Sequence, residues 1–155
     1  MNKAEEFLNA NLPYGRIQHF NQSTSSAEEA ATAIGCTVSQ IAKSLSFKLN
    51  GECILIVAAG SAKIDNQKYK ARFNSKAVML GRDEVFEKLG YPIGGVCPFC
   101  LNGKAKIYLD CSLKKFDTVY TAAGTPDSVV CLTVQELEKL SGADDWVDVC
   151  KNLSE

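Results

Sequence analysis

Two strand-like patterns, "IAKSLSFKL" at 41–49 and "CILIVAA" at 53–59, meet across Asn50-Gly51, and this stretch constrains the fold more than any other. Side chains of a strand alternate between its two faces. Asn-Gly tolerates the left-handed backbone of a tight turn, so the two arms read as a β-hairpin. The second arm is also the longest apolar block, and it is strand-sized, well short of a membrane span.

Shorter signals surround the hairpin. Residues 3–10 read as a helix and "RIQHF" as a strand. Ser26 with Glu29 forms a capping-box pattern before "AEEAATAIG", with Gly35 as the stop. "DNQKYKARF" and "RDEVFEKLG" read as helices, the second closed by Gly90, and Asn102-Gly103 is a tight-turn signal leading into "KIYLD". "TVYTAA" and "VVCLT" follow as strands, and Thr133 with Glu136 opens a final helix, "VQELEKLSG". Irregular interspersion of strands and helices predicts an α+β fold: a mixed, largely antiparallel sheet, curled and barrel-like, with helices around it.

At 155 residues, 46% apolar and 23% charged, the chain reads as a single soluble domain over 1–155. Its amino terminus carries acids and lacks the apolar core of a signal peptide, so the cytoplasm is expected, with no membrane partner. Net charge is −1, which excludes a globally basic nucleic-acid surface and makes DNA an unexpected partner. Between 63 and 82, however, Lys63, Lys68, Lys70, Arg72, Lys76 and Arg82 stand against Asp65 alone. Lys63, Lys68, Lys70 and Arg72 are candidates for a nucleic-acid backbone; a solvated helix face is the plain alternative.

Seven cysteines, an odd number, read as reduced thiols rather than a disulfide framework. Cys97 and Cys100 are spaced CxxC, as in glutaredoxin-type redox sites. Such a site sits between a buried strand and a helix that lowers the thiol pKa. Here "GYPIGG" precedes as a loop and "LNG" follows as a turn, so a thiol oxidoreductase is a secondary reading. One CxxC with one histidine, His19, gives no zinc set, and neither metal nor cofactor is expected.

The odd positions of the first arm are Ile41, Lys43, Leu45, Phe47 and Leu49, so Lys43 shares the apolar face. An inward ammonium is costly unless a polar cavity, a charge or a ligand meets it; a lysine snorkelling past the core is the alternative. In "GGVCPF", Gly94 and Gly95 permit close backbone approach and leave amides exposed, while Pro98 stiffens the turn. A fixed cation beside a backbone-donor loop suits a carbonyl or phosphate oxygen. With a single histidine and no GxSxG elbow, a Ser–His–Asp hydrolase has no support.

"IAKSLSF", "AAG" at 58–60, "GYPIGGVCPF" and "VYTAAGTPDSVVCLTVQEL" resemble, in this order, the YbaK/EbsC-like proteins, relatives of the editing insertion domain of bacterial prolyl-tRNA synthetase. The resemblance runs from "RIQHF" to the final helix. It implies hydrolysis in trans of the ester joining a wrong amino acid to a tRNA, with tRNA(Pro) the expected carrier. Aminoacyl-tRNA, through its acceptor end, and an aminoacyl-tRNA synthetase are the implied partners. It implies Lys43 as the essential lysine and Gly94 and Gly95 as the substrate-holding loop. Ser44, Val96, Cys97, Pro98, Phe99 and Gly124 are the remaining candidates for the pocket. A non-catalytic module that captures an aminoacyl or nucleotide end is the alternative.

Overall fold

A computed structural model describes residues 2–102 and 105–152. The Asn102-Gly103 turn expected from the sequence includes Gly103, which lies outside the described residues. Helix α1 (Lys3–Asn11) is capped by Asn2, whose side-chain oxygen accepts the amides of Ala4 and Glu5. After strand β1 (Ile17–His19), helix α2 (Ala27–Ile34) carries the expected Ser26–Glu29 capping box and ends at Gly35. A 3-10 turn, Val38–Gln40, leads into the hairpin of β2 (Ala42–Leu49) and β3 (Glu52–Ala59). Asn50 and Gly51 both adopt positive φ, 52° and 80°, as a type I′ turn demands.

Strand β4 (Ala62–Ile64), helix α3 (Asn66–Phe73), strand β5 (Val78–Met79) and helix α4 (Arg82–Leu89) follow. Strand β6 (Lys106–Asp110), a 3-10 segment at Cys111–Lys115, strands β7 (Thr118–Ala122) and β8 (Ser128–Thr133), and helix α5 (Val134–Ser141) come next. Strands β9 (Asp145–Val147) and β10 (Cys150–Asn152) end the described chain.

The largest sheet has the order β5-β2-β3-β6-β9, antiparallel from β5 to β3 and parallel from β3 to β9. An antiparallel sheet β1-β8-β7 and a β10-β4 pair complete the set. The fold is therefore α+β with mixed, largely antiparallel pairing. No barrel closes among the described residues; instead the two larger sheets meet at a seam. There Ile41 bridges to Tyr120, and the Thr121 hydroxyl donates to the carbonyl oxygen of Ala42 at 2.8 Å.

Strand β3 is apolar at every position past Glu52 because both of its faces are covered. Leu55 and Val57 join one core with Leu8 of α1, Leu89 of α4, Leu109 of β6 and Leu137 of α5. Ile54, Ile56 and Ala58 join a second core with Tyr69 and Phe73 of α3. Phe47, Tyr69, Phe73 and Tyr108 stack through that second core with successive centroid distances of 5.3, 4.8 and 5.1 Å. Among the described residues, no helix is long and apolar enough to cross a membrane.

Leu55 is fully buried, whereas Val78 on the sheet edge is 48% exposed. Leu55→Ala should therefore cost about 2–5 kcal/mol in urea unfolding, and Val78→Ala should stay within about 0.5 kcal/mol of the parent. Comparable losses at the two positions would contradict the two-core assignment.

Candidate active site

A cavity of about 200 Å³ opens beside the first half of β2. Its floor is the face of β2 that carries Ala42, Ser44 and Ser46, extended across the seam by Tyr120, Thr121 and Ala122 of β7. Thr24, Ser25 and Ser26, at the entry to α2, form one wall. Ile93, Gly94 and Val96 also line it, with Gly94 packed against Ser25. Six Ser and Thr residues border it: Thr24, Ser25, Ser26, Ser44, Ser46 and Thr121. Among the described residues no Asp, Glu, His or Cys does.

The Gly94 loop is a tight turn in which the Gly95 amide donates to the Pro92 carbonyl oxygen at 2.9 Å. Gly94 stands at its third position with φ 87°, the conformation a type II turn requires there. A Cβ on Gly94 would lie 2.5 Å from the Ser25 Cβ, so only glycine brings this loop against α2. A Cβ on Gly95 would meet the Gly124 backbone at 2.8 Å. The Gly95 amide is thus spent within its own turn, contrary to the expectation that both glycine amides are open donors.

Lys43 borders the cavity, and its partly buried ammonium donates to the carbonyl oxygens of Gly60 at 3.0 Å and Ala62 at 2.6 Å. Its strand neighbours Leu45, Phe47 and Leu49 belong to the second core, so the lysine does share the apolar face. Burial pulls its pKa below the ordinary lysine value. Two of three ammonium protons are engaged and one remains for another acceptor.

Of the other sequence candidates, Ser44, Gly94 and Val96 border the cavity with Lys43. Gly95, Cys97, Pro98, Phe99 and Gly124 are buried and lie outside its lining. Cys97 and Phe99 are fully buried core residues, Phe99 in keeping with the core packing that is the plain alternative for it. Burial pushes the Cys97 thiol up to about 12, the reverse of what a redox nucleophile needs.

The basic stretch is partly neutralised. The Lys68 ammonium pairs with Asp148 at 3.1 Å and Arg72 with Asp145 at 3.3 Å, while Lys63 and Lys70 are exposed with no ion pair among the described residues. None of the four lines the cavity. Asp110, Cys111 and Asp148 bring donor atoms within 4.8 Å of one another. Their geometry is accounted for: Asp110 accepts the amides of Ser112 and Val149, and Asp148 is held by Lys68.

Helix α1 supports the loop from below, a role its sequence did not signal. Lys3 donates to Asn102 at 2.9 Å and lies 4.9 Å from the Tyr91 ring centre. Phe7 packs on Phe99 at 6.2 Å, and the Tyr91 hydroxyl donates to the Phe99 carbonyl oxygen. The Asn2 amide group donates to Ala123 at 3.2 Å and sits so close to Gly124 that a Cβ there would lie 2.5 Å from it. Ser26 signals only a helix start in the sequence, and Thr24 and Ser25 signal nothing, yet the fold places all three on the border of the cavity.

Comparison with known proteins converges on one family. Residues 21–140 match the aminoacyl-tRNA editing domain. The uncharacterized protein YwhH of Bacillus subtilis (strain 168) is 50% identical over 137 residues, which is 88% of this chain and 87% of that protein. The proline–tRNA ligase of Staphylococcus saprophyticus is 27% identical over 126 residues, 78% of this chain but only 22% of the ligase. A crystal structure of a protein put forward as a trans-editing enzyme for prolyl tRNA synthetase superposes with a TM-score of 0.82 at 30% identity, covering 98% of this chain and 99% of that one. The hypothetical protein APE2540 superposes with a TM-score of 0.85 at 28% identity, covering 97% and 100%. The chain belongs to the aminoacyl-tRNA editing domain family.

Proposed function

We propose that this protein is a trans-acting aminoacyl-tRNA deacylase of the cytoplasm that hydrolyses the ester between a wrong amino acid and the terminal adenosine of a tRNA, with tRNA(Pro) as the carrier. The carrying observation is the cavity that gathers Lys43, Ser44, Gly94 and Val96 while, among the described residues, no carboxylate, imidazole or thiol lines it. Likeness to part of a proline–tRNA ligase supports tRNA(Pro) and makes prolyl-tRNA synthetase the enzyme whose errors are removed. Superposition on nearly the whole of a protein put forward as a trans-editing enzyme supports action in trans.

A site without a base–nucleophile pair leaves water as the attacking group. Water adds to the ester carbonyl carbon and the carbonyl oxygen takes up the charge; the carbon–oxygen bond to the ribose then breaks as the proton lost by the water passes to the departing ribose oxygen, releasing the amino acid and a ribose hydroxyl. The adenosine's own neighbouring hydroxyl helps to orient that water. The remaining proton of the Lys43 ammonium stabilises a phosphate or the developing oxyanion, a term worth about 10²–10³ in rate when one such donor is removed. Lys63 and Lys70 are the cations of the basic stretch left to meet tRNA phosphates, with Lys68 and Arg72 contributing only if they leave Asp148 and Asp145.

The empty complement of general bases also favours a second reading, a module that binds the aminoacyl end without turning it over. A panel of mischarged tRNA(Pro) species separates the two. Deacylation by the parent, with a loss of about 100-fold in Lys43→Ala and little change in Cys97→Ser, supports the deacylase. Tight binding of a non-hydrolysable aminoacyl-adenosine with no hydrolysis of any ester supports the module. For the thiols, a buried group raised to about 12 stays protonated at pH 8. Maleimide should then modify exposed Cys100 readily and Cys97 only on unfolding; equal labelling of both would reopen the redox reading.

A further inference from the structure

We propose that the cavity selects a small hydroxyl-bearing aminoacyl group, seryl above alanyl, and that Ser44 is the residue that reads the hydroxyl. This rests on the deacylase reading and adds the amino acid to it.

The Ser44 hydroxyl oxygen is buried and has no hydrogen-bond partner among the described residues. Buried hydroxyls are nearly always satisfied, so one left over beside a cavity points to a group that arrives with the ligand. Tyr69 carries the only other such oxygen among the described residues, and it lies in the aromatic core on α3, away from the cavity lining. Ser44 itself borders the cavity. Its oxygen is shielded in the observed rotamer, and rotation about χ1 between staggered wells turns it towards a ligand.

The surroundings define what it can meet. Ser46 lies on the same face of β2, and Thr121 has spent its proton on the Ala42 carbonyl, leaving its oxygen only as an acceptor. Ala42, Ala122, Val96 and Val129 supply apolar wall. Among the described residues no carboxylate lines the cavity to balance a basic side chain. A hydroxyl, which both donates and accepts, pairs with Ser44 and with the remaining acceptor site of Thr121 together, whereas a methyl leaves Ser44 unpaired and that site unused. Sites built to hydrogen-bond a substrate hydroxyl reject the analogue lacking it far better than apolar pockets sort by size. Groups common to every aminoacyl-tRNA, the α-amino group and the ribose hydroxyl, would make Ser44 matter equally for all amino acids, and this sets the test.

One tRNA(Pro) body is charged in turn with seryl, alanyl, cysteinyl and prolyl groups. Single-turnover kcat/KM is measured for the parent, Ser44→Ala and Ser44→Cys. The parent should cleave seryl at least about tenfold faster than alanyl. Ser44→Ala should lose about tenfold on seryl while alanyl changes by less than about threefold, with Ser44→Cys between the two. Circular-dichroism melting checks that both variants keep the fold. An alanyl rate equal to or above seryl in the parent, an unchanged ratio in Ser44→Ala, or equal slowing of all esters would overturn the assignment.

No cleavage of any ester by the parent would instead overturn the deacylase reading. In that case, Kd values for seryl- and alanyl-sulfamoyl adenosine decide the present proposal. A tenfold preference for the seryl compound, lost in Ser44→Ala, upholds it, and equal affinities reject it.

Discussion

Strand β2 serves two sheets, and the cavity exists because of how it does so. Along most of its length it pairs with β3, but at Ile41 and Ala42 it also meets β7, through one backbone bridge and the Thr121 hydroxyl. The cavity lies beside that seam, lined by Ala42, Ser44 and Ser46 from one sheet and by Tyr120, Thr121 and Ala122 from the other. The Gly94 turn and the start of α2 cover it only in part. The same end of β2 is tied on its other side by the Gly60 amide, which donates to the Ile41 carbonyl at 2.7 Å. Lys43 adds its ammonium to the Gly60 and Ala62 carbonyls, so the residue assigned to chemistry is also a strut of the β3–β4 connection.

Placement of the covering loop relies on glycine and on a distant helix. Gly94 and Gly95 let the turn approach Ser25 and Gly124 closer than any side chain allows, and α1 fixes the far ends through Asn2, Lys3 and Phe7. Few groups near the cavity are charged, and the Ser and Thr hydroxyls set in its mostly apolar border are suited to orienting a neutral ester and a water rather than to forming a covalent intermediate. Catalysis on this account is positioning plus one resident cation in a partly desolvated site.

Local chemistry made much of the fold legible in the sequence. The Asn50-Gly51 hairpin and the capping boxes at Ser26 and Thr133 are decided within four residues, and each formed as expected. Strands β4, β5, β9 and β10 have two or three residues each, too few to show a period, and exist through partners far along the chain. The partners of the basic stretch were hidden for the same reason, since Asp145 and Asp148 reach Arg72 and Lys68 only through tertiary structure. At the site, alternation correctly put Lys43 on an apolar face, but it could not reveal two waiting carbonyls. Proximity in sequence made Cys97, Pro98 and Phe99 resemble pocket wall, whereas the chain turns inward after Val96 and buries them.

The central claim is that substrate occupies the space between the Ala42–Ser46 face and the Gly94 turn. Amide chemical-shift mapping with a non-hydrolysable seryl-adenosine analogue tests it directly. Saturable shifts are expected at Ser44, Gly94, Val96 and Thr121, with Lys68 and Cys100 unmoved. Shifts centred elsewhere, or none at millimolar analogue, would contradict it.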